Sequence, residues 1–250
     1  MRLALLPVAM LVAAAPVAAE ADFAGFWAPT FEVVEPNPAM VAELPPNTVV
    51  LKDTGAPEYP RMEFGGLKLT TAALAHAENW KPEDEMTLQR VCLPPSIVYA
   101  VQGPFPFEID QTRDVIVFRY EYYDQVRLIF MDGRGHPAAD APHTKMGHST
   151  GRWEGDELVI DTTHNAPSTI TNNGLDHSAN IHMVERYKLS PDGKALLATQ
   201  WFEDPEVLEN NGARFIRWDK REGQYVLPYE CDPSFALEYG ERADEAEPGE

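Results

Sequence analysis

From about residue 107 onward, apolar and polar residues alternate in short runs separated by turn-forming clusters. Alternation with a period of two marks strands that bury one face. The pattern predicts strands over 97–101, 107–109, 115–123, 125–131, 157–163, 182–189, 195–201, 213–219 and 225–230. Asp132-Gly133, Glu154-Gly155-Asp156 and Pro191-Asp192-Gly193 supply turns between them. A leading strand is expected over 22–27, followed by a proline-rich stretch to about residue 60. There Pro36-Asn37-Pro38 and Pro45-Pro46-Asn47 forbid a long regular element. The best helix spans 71–80, capped by Thr70 or Thr71, rich in alanine and stopped by Pro82. Successive strands with short links predict an all-β, mainly antiparallel fold: a calycin-like β-barrel or closed sheet with a short α-helix.

Strand parity assigns the polar residues to faces. Arg119 and Glu121 project with Val115 and Val117, opposite Ile116, Phe118 and Tyr120. Arg127 projects with Ile129 and Met131, opposite Val126, Leu128 and Phe130. His182 shares a face with Val184 and Arg186, while Glu185 lies opposite with Met183 and Tyr187. His182 and Glu185 are therefore not adjacent ligands on one strand. A tight turn near Tyr123-Asp124 brings Glu121 toward Arg127. Both faces of these strands carry apolar residues, so Glu121, Arg127, Asp161, His182 and either Glu185 or Arg186 are expected to be buried. Buried polar groups need partners. They would form either an ion-pair network that fixes register or the lining of a pocket.

The N-terminus carries an address. Arg2, an apolar run from Leu3 to Ala15 and the small residues Val17-Ala18-Ala19 predict a signal peptide over 1–19. No later segment approaches the roughly 18 apolar residues of a membrane span, so no integral membrane segment is expected. The chain then divides into a proline-rich N-terminal segment over 20–66 and a barrel domain over 67–241. An acidic tail over 242–250 is expected to be disordered. With 40 acidic and 20 basic residues, the formal charge is −20. Such a chain is repelled by nucleic acid and anionic membranes, which excludes both as partners. In a periplasmic or secreted protein, Cys92 and Cys231 read as one disulfide. It would close a loop of about 139 residues, which loop-entropy models value at about 4 to 5 kcal/mol.

Six of the seven histidines fall between His136 and His182. His136, His143 and His148 are placed on a Gly/Pro/Ala loop. Their spacing matches no compact metal motif, so neither metal nor cofactor is expected. Ser149 lacks the G-x-S-x-G elbow of a serine hydrolase. Imidazoles among carboxylates and arginines fit acid–base work instead.

These residues also carry a resemblance. Cys92-Leu93-Pro94, Glu121, Arg127, Asp132-Gly133-Arg134 with His136, and Ser149 with Gly151 and Trp153–Asp156 form its first part. Leu158, Val159, Asp161-Thr162, Asn180, His182, Glu185-Arg186, Asp204-Pro205 and Cys231 complete it. The pattern resembles a large family of exported bacterial proteins of unknown function. Arg90-Val91-Cys92 departs from it by one inserted residue. The resemblance implies kinship without an activity.

The functional expectation is a cofactor-independent lyase or isomerase acting on a small organic molecule. His182 or His136 would move a proton, Glu121 or Asp161 would assist, and Arg127 or Arg134 would stabilise negative charge. Arg134, His148, Glu185 and Arg186 are the candidate binding residues. The alternatives are a non-catalytic periplasmic binder of a small apolar ligand and a structural envelope protein. Oligomeric state is left open.

Overall fold

The alternating strands close on themselves. The computed structural model describes residues 20–239 apart from residues 32, 35, 37 and 55–57. The expected signal peptide and acidic tail lie outside the described residues. The strands of the main sheet are β1 (Gly25–Pro29), β2 (Thr48–Val50), β3 (Phe107–Gln111), β4 (Val115–Tyr120) and β5 (Val126–Phe130). They continue with β6 (His148–Glu154), β7 (Glu157–Thr163), β10 (His182–Leu189), β11 (Ala195–Glu203) and β12 (Asn211–Lys220). Two short strands, β8 (Ser168–Thr169) and β9 (Asp176–His177), form a separate hairpin. The main sheet runs β1-β3-β4-β5-β6-β7-β10-β11-β12, and β1 also pairs with β12. A nine-stranded barrel results, with β2 added to β12 in parallel.

β1 is the strap that closes it. Gly25 to Trp27 pair with β3, and Trp27 to Pro29 pair with β12. Phe23 and Trp27 are fully buried, so closure is anchored by two aromatic side chains. The barrel departs from a purely antiparallel meander at β5 and β6, which pair in parallel through Ile129–Ser149 and Phe130–Thr150. Parallel neighbours require a crossover. The connection over residues 131–147 is that crossover, and it carries His136 across to β6 and β7.

Inward positions follow the predicted parity. Ile116, Phe118 and Tyr120 on β4, Ile129 on β5, and Met183 and Tyr187 on β10 are buried. Phe107 meets Trp218 edge-on at 5.2 Å, and Phe118 meets Tyr187 at 5.6 Å. Such pairs add about 0.5–1.5 kcal/mol beyond area burial.

Four expectations are corrected. Residues 97–101 are helical, not extended: α4 (Ile97–Ala100) is buried at every position. A short apolar run cannot tell a buried strand from a buried helix. Residues 225–230 do not form a strand. Their Leu227 and Tyr229 N–H groups instead donate to the Glu121 and Asp124 carboxylates at 3.0 Å each. His148 is not on the loop but begins β6, a strand masked in the sequence by Gly151. That glycine faces inward, where an added Cβ would lie 2.7 Å from Ile129 Cγ2. Finally, β5 is covered on one face only, since Val126 and Leu128 are exposed. The helix expected over 71–80 is α2 (Thr71–Asn79), with Thr70 as its N-cap. The helices α1 (Pro38–Ala42) and α3 (Pro82–Glu85) were not anticipated.

Candidate functional site

The predicted polar residues separate into two groups, one inside the barrel and one outside. Inside, the Arg127 guanidinium pairs with the Glu185 carboxylate, and both side chains are completely buried. Arg127 also donates to Ser149 Oγ at 3.0 Å and Thr162 Oγ1 at 2.8 Å, while Tyr187 donates to Glu185 Oε1 at 2.8 Å. Burial would lower the Arg127 pKa, but Glu185 holds it above its ordinary value. Sealed and partnered in this way, the pair ties β5 to β10. The expected approach of Glu121 to Arg127 does not occur. Glu121 lies past the end of β4 and secures the 225–230 segment. It is not buried with Arg127.

Outside, four side chains form one hydrogen-bonded chain, and a fifth, Glu203, extends it by an ionic contact. Asp161 projects from β7 on the face opposite buried Thr162, and His182 projects from β10 opposite buried Met183. His182 Nε2 and His136 Nε2 reach the same Asp161 Oδ1, at 3.0 and 2.9 Å. His136 Nδ1 lies 3.0 Å from His148 Nδ1. His182 Nδ1 faces Glu203 Oε1 at 3.5 Å, as expected from the direct pairing of His182 with Glu203 between β10 and β11. The order is Glu203–His182–Asp161–His136–His148. Asp161, His136 and His182 are expected to be buried or looped from sequence, but each is one-quarter to one-third exposed. The chain therefore opens to solvent.

Proton positions follow from the partners. A carboxylate oxygen only accepts, so both Nε2 atoms facing Asp161 carry hydrogen. A neutral His136 then has a bare Nδ1, which accepts from the Nδ1–H of His148. His148 is left with a bare Nε2, which has no partner among the described residues. Electrostatics separates the two ends. The bond to Asp161 raises the His182 pKa above its ordinary 6.5, outweighing burial and aided by Glu203. Burial, and then the neighbouring His136, lower that of His148. Burial would raise the Asp161 pKa, but the bonds from His182 and His136 hold it below its ordinary 3.8.

A cation flanks the neutral end. Phe130 stacks on His148 with centroids 5.3 Å apart, and the Arg134 guanidinium lies 4.0 Å from the Phe130 ring centre. Asp132 takes Nε and Nη2 of Arg134, leaving Nη1 without a partner among the described residues. Arg186 is elsewhere on the outer face, held by Glu154 and Glu157 at 2.9 Å each. It does not join the chain.

Sequence reasoning missed Glu203 and Phe130. Both had a legible signal in strand parity, but neither strand pairing could be assigned from the pattern alone. It also missed a second internal ion pair, in which Arg214 donates to Asp53 Oδ2 at 2.7 Å. Among the described residues, no group of three or more His, Cys, Asp or Glu is disposed to hold a metal ion. The Cys92–Cys231 disulfide is formed, and no described helix is long and apolar enough to cross a membrane. Compared with protein-family models, curated proteins and solved structures, the chain matches none.

Proposed function

We propose that the outer-face chain is an acid–base centre that abstracts a proton from a small organic molecule, the chemistry of a cofactor-independent lyase or isomerase. One observation carries this reading: His136 and His182, from distant segments, converge on a single Asp161 oxygen, and His148, bonded to His136 through Nδ1, has its Nε2 without a partner among the described residues. His148 is the base. His136 orients it, and Asp161 stabilises the imidazolium that forms when the proton arrives, the logic of a base held by a second group and an anion. His182, whose protonated form Asp161 favours, in turn favours the ionised form of Asp161. Separated pKa values within one connected set are a signature of acid–base assignment.

The step balances simply. His148 Nε2 takes a proton from carbon next to a carbonyl, and the electron pair moves onto the carbonyl oxygen. Arg134, over the Phe130 ring from which His148 is 5.3 Å distant, is the cation proposed to stabilise that developing charge. Returning the proton elsewhere gives isomerisation; loss of a β-substituent gives elimination. The predicted signal peptide and the disulfide support a periplasmic or secreted setting. Kinship with the exported bacterial family belongs to the same proposal.

The test is deuterium exchange from heavy water into pyruvate, acetoacetate and acetone, followed by NMR. Wild type should exchange at least one of them. His148→Gln and Asp161→Asn should each lose about 10²–10⁴-fold, the usual worth of a positioned base. The rate should rise with pH through the lowered His148 pKa, below 6.5. Exchange indifferent to both substitutions would sink the assignment.

A further inference from the structure

A large concavity lies away from the Asp161 chain, none of whose members lines it. It is a groove of about 690 Å³, within the range of about 300–1,000 Å³ typical of small-molecule sites. Six rings face it: Trp80, Tyr99, Tyr122, Tyr123, Tyr229 and Phe235. Three of them form a cluster, with Tyr123 4.8 Å from Tyr122 and 4.5 Å from Tyr229.

The walls are fastened to one another. The Cys92–Cys231 disulfide joins the 86–95 wall to the 229–235 wall. The Tyr123 hydroxyl donates to Val91 O at 2.9 Å, and Tyr229 N donates to the Asp124 carboxylate. Tyr123 and Asp124 hold φ values of 57° and 53°, in the left-handed region that bulky residues avoid. Strain of this kind persists where the surrounding structure demands it, and it concentrates at binding sites. Here it presents the Tyr123 ring between those of Tyr122 and Tyr229.

Charge then selects the occupant. The two lining cations are already engaged: Arg90 is forked onto Glu85, and Lys145 donates to Pro167 O at 2.8 Å. Three further carboxylates, Asp176, Glu230 and Asp232, also line the groove. Asp176 faces His76 at 3.1 Å, and Asp232 accepts from Ser234 N. Tyrosine and tryptophan faces attract cations, and a chain of formal charge −20 concentrates them nearby.

We infer that this groove binds a planar aromatic cation, an aryl or heteroaryl amine of two or three rings. Its rings would lie against the Tyr122–Tyr123–Tyr229 cluster, with the positive charge toward Glu230 and Asp232. The site is one a non-catalytic binder would use, and it stands independently of the acid–base centre.

Fluorescence titration of the oxidised full chain tests it with three dyes of similar size. Cationic thioflavin T should bind saturably, one per chain, and at least about tenfold tighter than anionic anilinonaphthalene sulfonate, with neutral N-phenylnaphthylamine between them. About 0.5 M salt should weaken the cation and narrow the gap. Tyr123→Ala and Phe235→Ala should each weaken thioflavin T by about tenfold. If Tyr123→Ala fails to fold by circular dichroism, Phe235→Ala, at an exposed position of the 229–235 wall, decides. His148→Gln, outside the groove, should bind the dye like wild type, so loss of the acid–base reading leaves this one intact. Sulfonate binding as tight as the cation, or dye binding untouched by the wall substitutions, would overturn the inference.

Discussion

A single carboxylate oxygen organises the outer face. Asp161 Oδ1 accepts from two imidazoles, and each interaction stabilises the charged form of the acid. The pKa directions fix how this affects stability. Asp161 is depressed on folding, so its contribution is present above its ordinary 3.8 and lost as pH falls through the lowered value. His182 is raised, so its contribution is complete below 6.5 and lost as pH rises through the elevated value. The pair therefore supports the fold fully between those two ordinary values. His182→Ala should destabilise the protein more at about pH 5 than at about pH 9, as read by urea unfolding. An equal loss at both would show that Asp161 does not favour the protonated form of His182. Strand patterning in the sequence placed Asp161 and His182 on strands and grouped His182 with Val184 and Arg186. It could not bring His136 to them, because that depends on the path of a crossover whose existence follows from a parallel pairing.

The strands carry a different ionic pair, and its work is between elements. Arg127 on β5 reaches Glu185 on β10 through the barrel interior, passing Ser149 on β6 and Thr162 on β7. Four neighbouring strands thus share one polar contact in an apolar core. Breaking one half of a completely buried pair leaves an uncompensated charge. Glu185→Leu should accordingly cost about 3–5 kcal/mol in urea unfolding, whereas Arg127→Met combined with Glu185→Leu should cost less than Glu185→Leu alone. A double variant as damaged as the single one would mean that the pair stabilises the barrel in its own right. Alternation grouped Arg127 with Ile129 and Glu185 with Met183 and Tyr187, but left open which face of each strand turned inward. The partner of Arg127 was not legible, since Glu121 is nearer in sequence and Glu185 is brought close only by barrel curvature. The helix α4 shows the same limit, because five apolar residues after Pro94-Pro95 have no period long enough to separate a helix from a strand.

At the scale of the molecule, closure is secured twice, once by β1 between β3 and β12 and once by the disulfide. The disulfide spans 139 residues, nearly the whole barrel. Replacing Cys92 and Cys231 by Ser should lower unfolding stability by about 2–5 kcal/mol. Comparison of urea unfolding for the oxidised chain and the double variant measures this. A change under about 1 kcal/mol would mean that the C-terminal segment is held by its contacts with Glu121 and Asp124 and not by the covalent link. What the sequence determined alone was local: the strand alternation, the residues that share a face with Arg127, His182 and Glu185, a helix capped at Thr70 or Thr71, and a pair of cysteines suited to one bridge. Each of these depends on residues close together in the chain, where period and turn chemistry are decisive. Tertiary structure decided which strands became neighbours. It closed the sheet, sealed Arg127 inside, turned Asp161 outward to collect two distant histidines, and opened an aromatic groove beside the disulfide. Those outcomes depend on register and crossover path, which bring together residues that no local pattern relates.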